Sequence, residues 1–369
     1  MRTRGIRDGL VAGAVASARV FAAALALLAL AMPAAACPVC IDKPEATLAD
    51  RLLRADAVVI AREDPARPFH YAPVETLRGE AGAVPIPLLL DSATRRRLAA
   101  RPDDGVLFVR NGDAWSGAGY ADAARRDTAA AILAEGPGWD DDPVARFAFF
   151  EALLHHREGG LRRLAVDELS RARYGQIRTM AKPLDAAAAS RALTDRTEIP
   201  WRAFHILMLG LSERPEHRAL VRERNATAAR LGWSRELDAW ATALVEIDGP
   251  AGVARLAEDW FEAPGRDVEA LRAVITAFAV QAREGDPALR PSILAALHDL
   301  PSRRPDVAGS VAAALGEIGD FSQADAIVRA MRDAAGRGGP SFRDPELLAA
   351  ALYVDRARRA ADAELEISR

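Results

Sequence analysis

Apolar positions along this chain change their spacing once. Ala57–Ala61, Phe69–Leu77, Val84–Leu90, Val106–Val109 and Ala114–Tyr120 are short apolar or alternating runs. Runs of that kind, bounded by turn residues, predict strands. Asn111-Gly112 is a strong turn signal between the last two. Pro73, Pro85 and Pro87 cannot donate to a ladder, which puts their segments at edges or bulges. Two helices interrupt the runs, over Glu45–Asp56, with Leu48, Leu52 and Leu53 on one side, and over Ser92–Ala100. Residues 45–125 therefore predict a small strand-rich unit, a barrel or tight sandwich.

Gly136-Pro-Gly-Trp-Asp-Asp-Asp-Pro143 is the boundary. Asp142 suits an N-cap, because its carboxylate accepts free backbone N–H groups, and Pro143 suits the first helical position. Beyond it the apolar period is about 3.6, as a train of helices requires. The stripes are Val144, Phe147, Phe150, Leu154, then Leu161, Leu164, Ala165, Leu169, then Val268, Leu271, Ile275, Phe278. Trp201–Leu211 is apolar nearly all round and predicts a helix buried on several sides. Val307, Val311, Leu315 and Ile318 lead to Gly319, a good C-cap, and Ala324, Ile327, Val328 and Met331 come directly after it. Such short connections favour antiparallel helix pairs.

The start of the chain changes the picture of where it works. Arg2, Arg4 and Arg7, the apolar run Val20–Met32 and Ala34-Ala35-Ala36 have the order of a secretory signal peptide. The run is shorter than the ~20 residues of a bilayer span. This predicts export, to the periplasm or the medium. Ala34-Ala35-Ala36-Cys37 also loosely resembles a lipobox, which would make the product a lipoprotein; membrane attachment is expected only if Cys37 is lipidated. The formal charge is −3, and the leader is basic, so the mature chain is more acidic still. That argues against nucleic-acid binding.

Asp306–Asp320 with Ala324–Met331 resembles a HEAT-type repeat of the phycobilisome-lyase kind, and Leu161–Leu169 is a weaker echo. The strand unit resembles the OB-type barrel of netrin-like metalloproteinase-inhibitor modules. Those modules open with Cys-x-Cys and use further cysteines, whereas Cys37-Pro-Val-Cys40 holds the only two here. The leader, Cys-Pro-x-Cys, strand unit and helical repeats together resemble a group of uncharacterised exported bacterial proteins. The resemblances imply an α+β chain, with a small β-barrel-like N-terminal domain followed by an all-α HEAT-like solenoid. The parts are a signal peptide over 1–36, an OB-like β-rich domain over 37–135 and a HEAT-like helical repeat domain over 143–360.

Candidate chemistry is sparse. Cys37 and Cys40 allow a local disulfide, a redox pair or a lipid-linked end, and two thiolates make an incomplete zinc site. As a disulfide the short loop is worth roughly 2 kcal/mol in the loop-closure model. His155 and His156 are adjacent and point apart on a helix; His205 reads as a hydrogen-bonded core residue; His217 and His298 read as solvated; His70 has no evident partner. Asp140-Asp141-Asp142 reads as a solvated turn before a calcium site. No zincin, nucleophile-elbow or Walker pattern occurs, so no catalytic residue, metal or cofactor is assigned. Trp233 and Trp240 are seven apart, so they are expected to share a helix face. Exposed, they would bind a partner; buried, they are core. The function expected is an exported, non-enzymatic protein-binding scaffold using a solenoid surface. The alternative is an envelope thiol-disulfide or metal-handling protein acting through Cys37 and Cys40; a protease inhibitor built on the strand unit is a third.

Overall fold

The first helix forms where the sequence supplies both halves of a capping box. Thr47 Oγ1 accepts the Asp50 N–H and the Asp50 carboxylate accepts the Thr47 N–H, each at 3.1 Å. Helix α1 (Leu48–Arg54) comes next and buries Leu48, Ala49 and Leu52. These are features of a computed structural model that describes residues 46–81, 89–180, 185–336 and 344–367. The predicted leader, Cys37, Cys40 and residues 84–88 of the expected third strand lie outside them.

The strands are β1 (Ala57–Asp64), β2 (Arg67–Arg78), β3 (Gly105–Asn111) and β4 (Ala114–Ala121), with helix α2 (Ser92–Ala100) between β2 and β3. All pairs are antiparallel, in the order β2-β1-β3-β4. Gly112, at φ +57°, turns the chain from β3 to β4 in a conformation that favours glycine. Pro73 sits exposed on edge strand β2, opposite Ala61 and beside a register shift, as a residue without an N–H must. The expected closed barrel does not form among the described residues. β2 and β4 do not pair, so the sheet is open, and closure would have required long-range edge pairing that local patterning does not specify.

β1 and β3 are buried on both faces, which is why they read as unbroken apolar runs. Val58, Ile60, Leu107 and Val109 face the helices. Val59, Ala61, Val106 and Phe108 face the opposite way and are covered by Tyr71, Leu98 and Trp115. Leu98 belongs to α2, so the helix predicted between strands roofs the second face.

Helix α3 (Ala123–Glu135), capped by Asp122, was not legible in the sequence pattern. After it, Asp142 accepts the Ala145 N–H and Pro143 opens α4 (Pro143–Leu153), as the boundary motif predicts. Then come α5 (Gly159–Leu169), α6 (Tyr174–Arg178), α7 (Ala186–Ala192), α8 (Arg202–Gly210), α9 (Pro215–Leu231) and α10 (Leu237–Asp248). The series continues through α11 (Pro250–Leu256), a π-helical turn (Ala257–Glu262), α12 (Val268–Glu284), α13 (Arg290–Leu297) and α14 (Leu300–Arg303). It ends with α15 (Ala308–Ile318), stopped by Gly319 in the left-handed region, α16 (Ala324–Gly336) and α17 (Asp344–Ile367). Val144 departs from its predicted stripe: it is exposed, while Phe150 and Leu154 are buried.

Helix α8 packs on α10, α10 on α12, α12 on α15 and α15 on α17, making one row. Helices α9, α11, α13, α14 and α16 lie between or beside successive members of that row. A helix with neighbours on several sides needs apolar residues all round. Accordingly α8 is buried from Phe204 to Gly210, and α12 buries all of Ala277–Ala282. One continuous set of buried residues runs from Leu48 in α1 through the sheet to Tyr353 in α17. The Gly136–Pro143 segment therefore joins two helices, α3 and α4, within a shared core.

Arg146 of α4 spans that boundary. Its Nη2 donates to Asp50 Oδ1 of α1 at 2.8 Å and to Glu168 Oε2 of α5 at 2.7 Å. Arg171 adds a 3.4 Å contact to Asp50. Burial works to raise the Asp50 carboxyl, but the Arg146 hydrogen bond, the Thr47 N–H and the two arginine charges hold it below its ordinary 3.8. Glu168 is more deeply buried, and burial outweighs Arg146 there, leaving its carboxyl above 4.5.

The signs of the two carboxyls differ. Asp50 contributes stability above 3.8 that is lost as pH falls through its lower folded-state value; Glu168 contributes below 4.5 and loses it as pH rises through its higher one. Arg146→Met leaves both carboxylates short of a donor and should cost about 1.5–3 kcal/mol at neutral pH. The loss should shrink as pH falls and both protonate, which urea titrations at a series of pH values will read.

Gly210 marks a close approach within the row. A Cβ there would sit 2.8 Å from Ala243 Cβ and 2.9 Å from its Cα. Gly210→Ala should therefore lower the urea midpoint, although alanine is the better helix former by ~1 kcal/mol. Gly316→Ala, whose Cβ would meet only Tyr353 Cδ2 at 3.5 Å, should raise it.

Candidate functional site

A glycine stops α9 beside an open hollow in the helical region. Gly232 adopts φ +68°, and the Trp233 N–H returns to the Ala228 carbonyl at 3.0 Å, closing the helix end. The chain then runs through Trp233, Ser234, Arg235 and Glu236 before α10 begins. Glu236 sits at φ +54°, a conformation that costs a residue with a Cβ roughly 1–2 kcal/mol. Its carboxylate meets Arg202 Nη1 at 3.4 Å, while Arg202 Nη2 donates to the Leu193 carbonyl at 2.7 Å. Arg202 thus ties the loop to the ends of α7 and α8.

Between these elements lies an open cleft of about 580 Å³. Trp233, Trp240, Arg202, Arg224, Arg235 and Glu236 shape it. Trp240 is buried at 8% exposure and its carbonyl accepts Asn225 Nδ2 at 2.9 Å; Trp233 is 56% exposed. The volume lies within the ~300–1,000 Å³ of ordinary ligand pockets. Two tryptophans, one buried and one exposed, make an apolar wall and its lip.

The expectation that Trp233 and Trp240 share a helix face is corrected. Trp233 belongs to no helix, and the break at 232–236 falls inside the seven-residue spacing. The loop nevertheless brings both side chains to one cleft. Arg202, Arg224, Arg235 and Glu236 had no sequence signal of their own, because they come from three separate segments. The available clue was an aromatic directly after a glycine in a polar stretch, Gly232-Trp-Ser-Arg-Glu236.

The histidines divide differently from expectation at one position. His205 is the hydrogen-bonded core residue predicted: its Nε2 lies 3.1 Å from Glu198 Oε2, and Arg163 also contacts Glu198. Burial holds the His205 ring below its ordinary 6.5, against the opposing pull of Glu198. His217, expected to be solvated, is 6% exposed and its Nδ1 lies 2.9 Å from Ser212 Oγ. The pair closes the turn before α9, where Ser212 Oγ also accepts the Arg214 N–H, and no carboxylate among the described residues orients the ring. His298 is exposed beside Asp299. Among the described residues no cluster of three or more His, Cys, Asp or Glu is placed to hold a metal ion. No helix among them is long and apolar enough to cross a membrane.

A second hollow of about 410 Å³ lies by the π-helical turn, at Phe261, Pro264, Arg266, Arg303 and Arg304. Two of its arginines are already engaged. Arg266 lies over the Trp260 ring at 4.8 Å, and Arg304 pairs with Asp306 at 2.6 Å.

The fold and the cleft define a class, a small open antiparallel sheet joined to a largely helical region, and no finer one. Comparison with protein-family models, curated proteins and solved structures finds no match for the chain.

The two tryptophans should separate cleanly. Trp240→Ala removes a buried side chain and should cost about 3–5 kcal/mol in urea unfolding. Trp233→Ala should stay within about 0.5 kcal/mol of the parent.

Proposed function

We propose that this chain is an exported, non-enzymatic scaffold that binds a partner protein at the Trp233/Trp240 cleft. One observation carries the reading: a 56% exposed tryptophan stands at the lip of a preformed cleft whose wall is a buried tryptophan. Leaving such a ring in water forgoes roughly 1.5–3 kcal/mol of burial, which a partner recovers. Tryptophan and arginine are the side chains that dominate interface hot spots.

The helical region is read as a HEAT-type stack. Its support is the row α8, α10, α12, α15, α17 with a second set of helices alongside, and a unit at 306–320 that ends on a glycine cap. Stacked pairs present long surfaces, and each pair supplies part of its neighbour's core. The sheet unit is read as a second contact module of OB-like kind. Export rests on the basic-apolar-alanine leader, with Cys37 and Cys40 just beyond it.

A photo-reactive residue tests the site in the cells that make the protein. Placed at position 233 it should give a discrete cross-linked adduct; placed at 144, where Val144 is also well exposed but belongs to α4, it should give none. Identical labelling at both positions, or none at 233, would remove the reading.

A further inference from the structure

We infer that the cleft takes an extended acidic segment of the partner, with a flat or apolar side chain against Trp233 and carboxylates on Arg224 and Arg235. This rests on the reading of the cleft as a protein-binding site and specifies its occupant. The argument is one of uncompensated charge. Arg202 is neutralised by Glu236, and on the same stretch of α9 Arg222 pairs with Asp248 at 2.5 Å. Arg218 is engaged by the Ile247 carbonyl. Arg224 and Arg235 are both exposed, both line the cleft, and neither makes an ion pair or hydrogen bond among the described residues.

The chain as a whole carries 52 acidic against 49 basic residues. Two unpaired guanidiniums flanking an exposed indole are thus a local reversal of its charge. Glu236, the one acid among the described residues lining the cleft, is already spent on Arg202. A guanidinium offers a planar pair of donors that fits a carboxylate, and its weak hydration makes it cheaper to bring to an interface than an ammonium. A single-stranded nucleic acid also carries anions and flat rings, but it is held by a basic track that runs along its backbone. Here Glu236 offsets Arg202 within the cleft, and Asp248 offsets Arg222 on the helix that carries Arg224, which interrupts such a track.

The test uses the full chain and a capped seven-residue peptide, Glu-Asp-Glu-Phe-Glu-Asp-Glu, followed by tryptophan fluorescence and calorimetry. Its counterpart replaces every acid by its amide. The acidic peptide should bind roughly tenfold tighter than the neutral one, the effect of about two exposed ion pairs. Added salt should narrow the gap. The combined Arg224→Gln and Arg235→Gln variant should bind both peptides alike; each single variant should lose part of the preference, should the double one fold poorly. Trp233→Ala should weaken both peptides.

Equal binding of the two peptides, with Trp233→Ala weakening both, overturns the acidic occupant and leaves the cleft as a docking site. Binding that ignores Trp233→Ala, no binding of either peptide, or tighter binding of an oligothymidine overturns the inference as well. The cross-linking at position 233 then decides separately whether the cleft receives a protein at all.

Discussion

Burial of β1 and β3 on both faces is the constraint on which the rest of the molecule is built. Val58, Ile60, Leu107 and Val109 need cover on one side, and Val59, Val106 and Phe108 need it on the other. Helix α2 and edge residues Tyr71 and Trp115 are enough for the second face. The first face demands α1, α3 and the start of the helical region, and each helix that covers it exposes a further apolar side. The core therefore propagates from the sheet to Tyr353 without a gap.

Apolar burial has no preferred direction, so it does not by itself set the angle at which α4 and α5 leave the sheet. The Arg146 contacts to Asp50 and Glu168 are directional and tie α4 to α1 and α5. A second polar set acts deeper in the stack. Tyr174 donates to Glu246 at 2.6 Å, and Gln281 donates to the Thr242 carbonyl at 2.9 Å, joining α6, α10 and α12. Burial first, and then the Glu246 charge, push the Tyr174 hydroxyl well above its usual range, so it remains a donor. Both sets are mostly enclosed, and an enclosed polar group that loses its partner costs more than the bond contributes.

The cleft exists because the stack is tight in one place and interrupted in another. Gly210 lets α8 and α10 close to within a methyl group of each other. One helix further along the chain, Gly232 ends α9 and the loop to α10 takes a left-handed step at Glu236. The loop cannot fill the space that a continuing helix would occupy. Trp240 lines what is left, and Trp233 stands at its edge with two arginines that no acid among the described residues neutralises.

By itself the sequence determined whatever depends on neighbours in the chain. The Asp142-Pro143 helix start, the Ser92–Ala100 helix, the edge position of Pro73 and the Gly319 cap all rest on bonds or clashes within a few residues. Helix α3 escaped because its buried side includes Thr128, Ala129 and Ile132, too little contrast to show a period. Tertiary structure alone decided the open sheet and the meeting of Trp233 with Trp240, Arg202 and Arg224. Those outcomes depend on which distant segments pack together, and packing is set by the summed burial of many side chains, a quantity no short window of sequence contains.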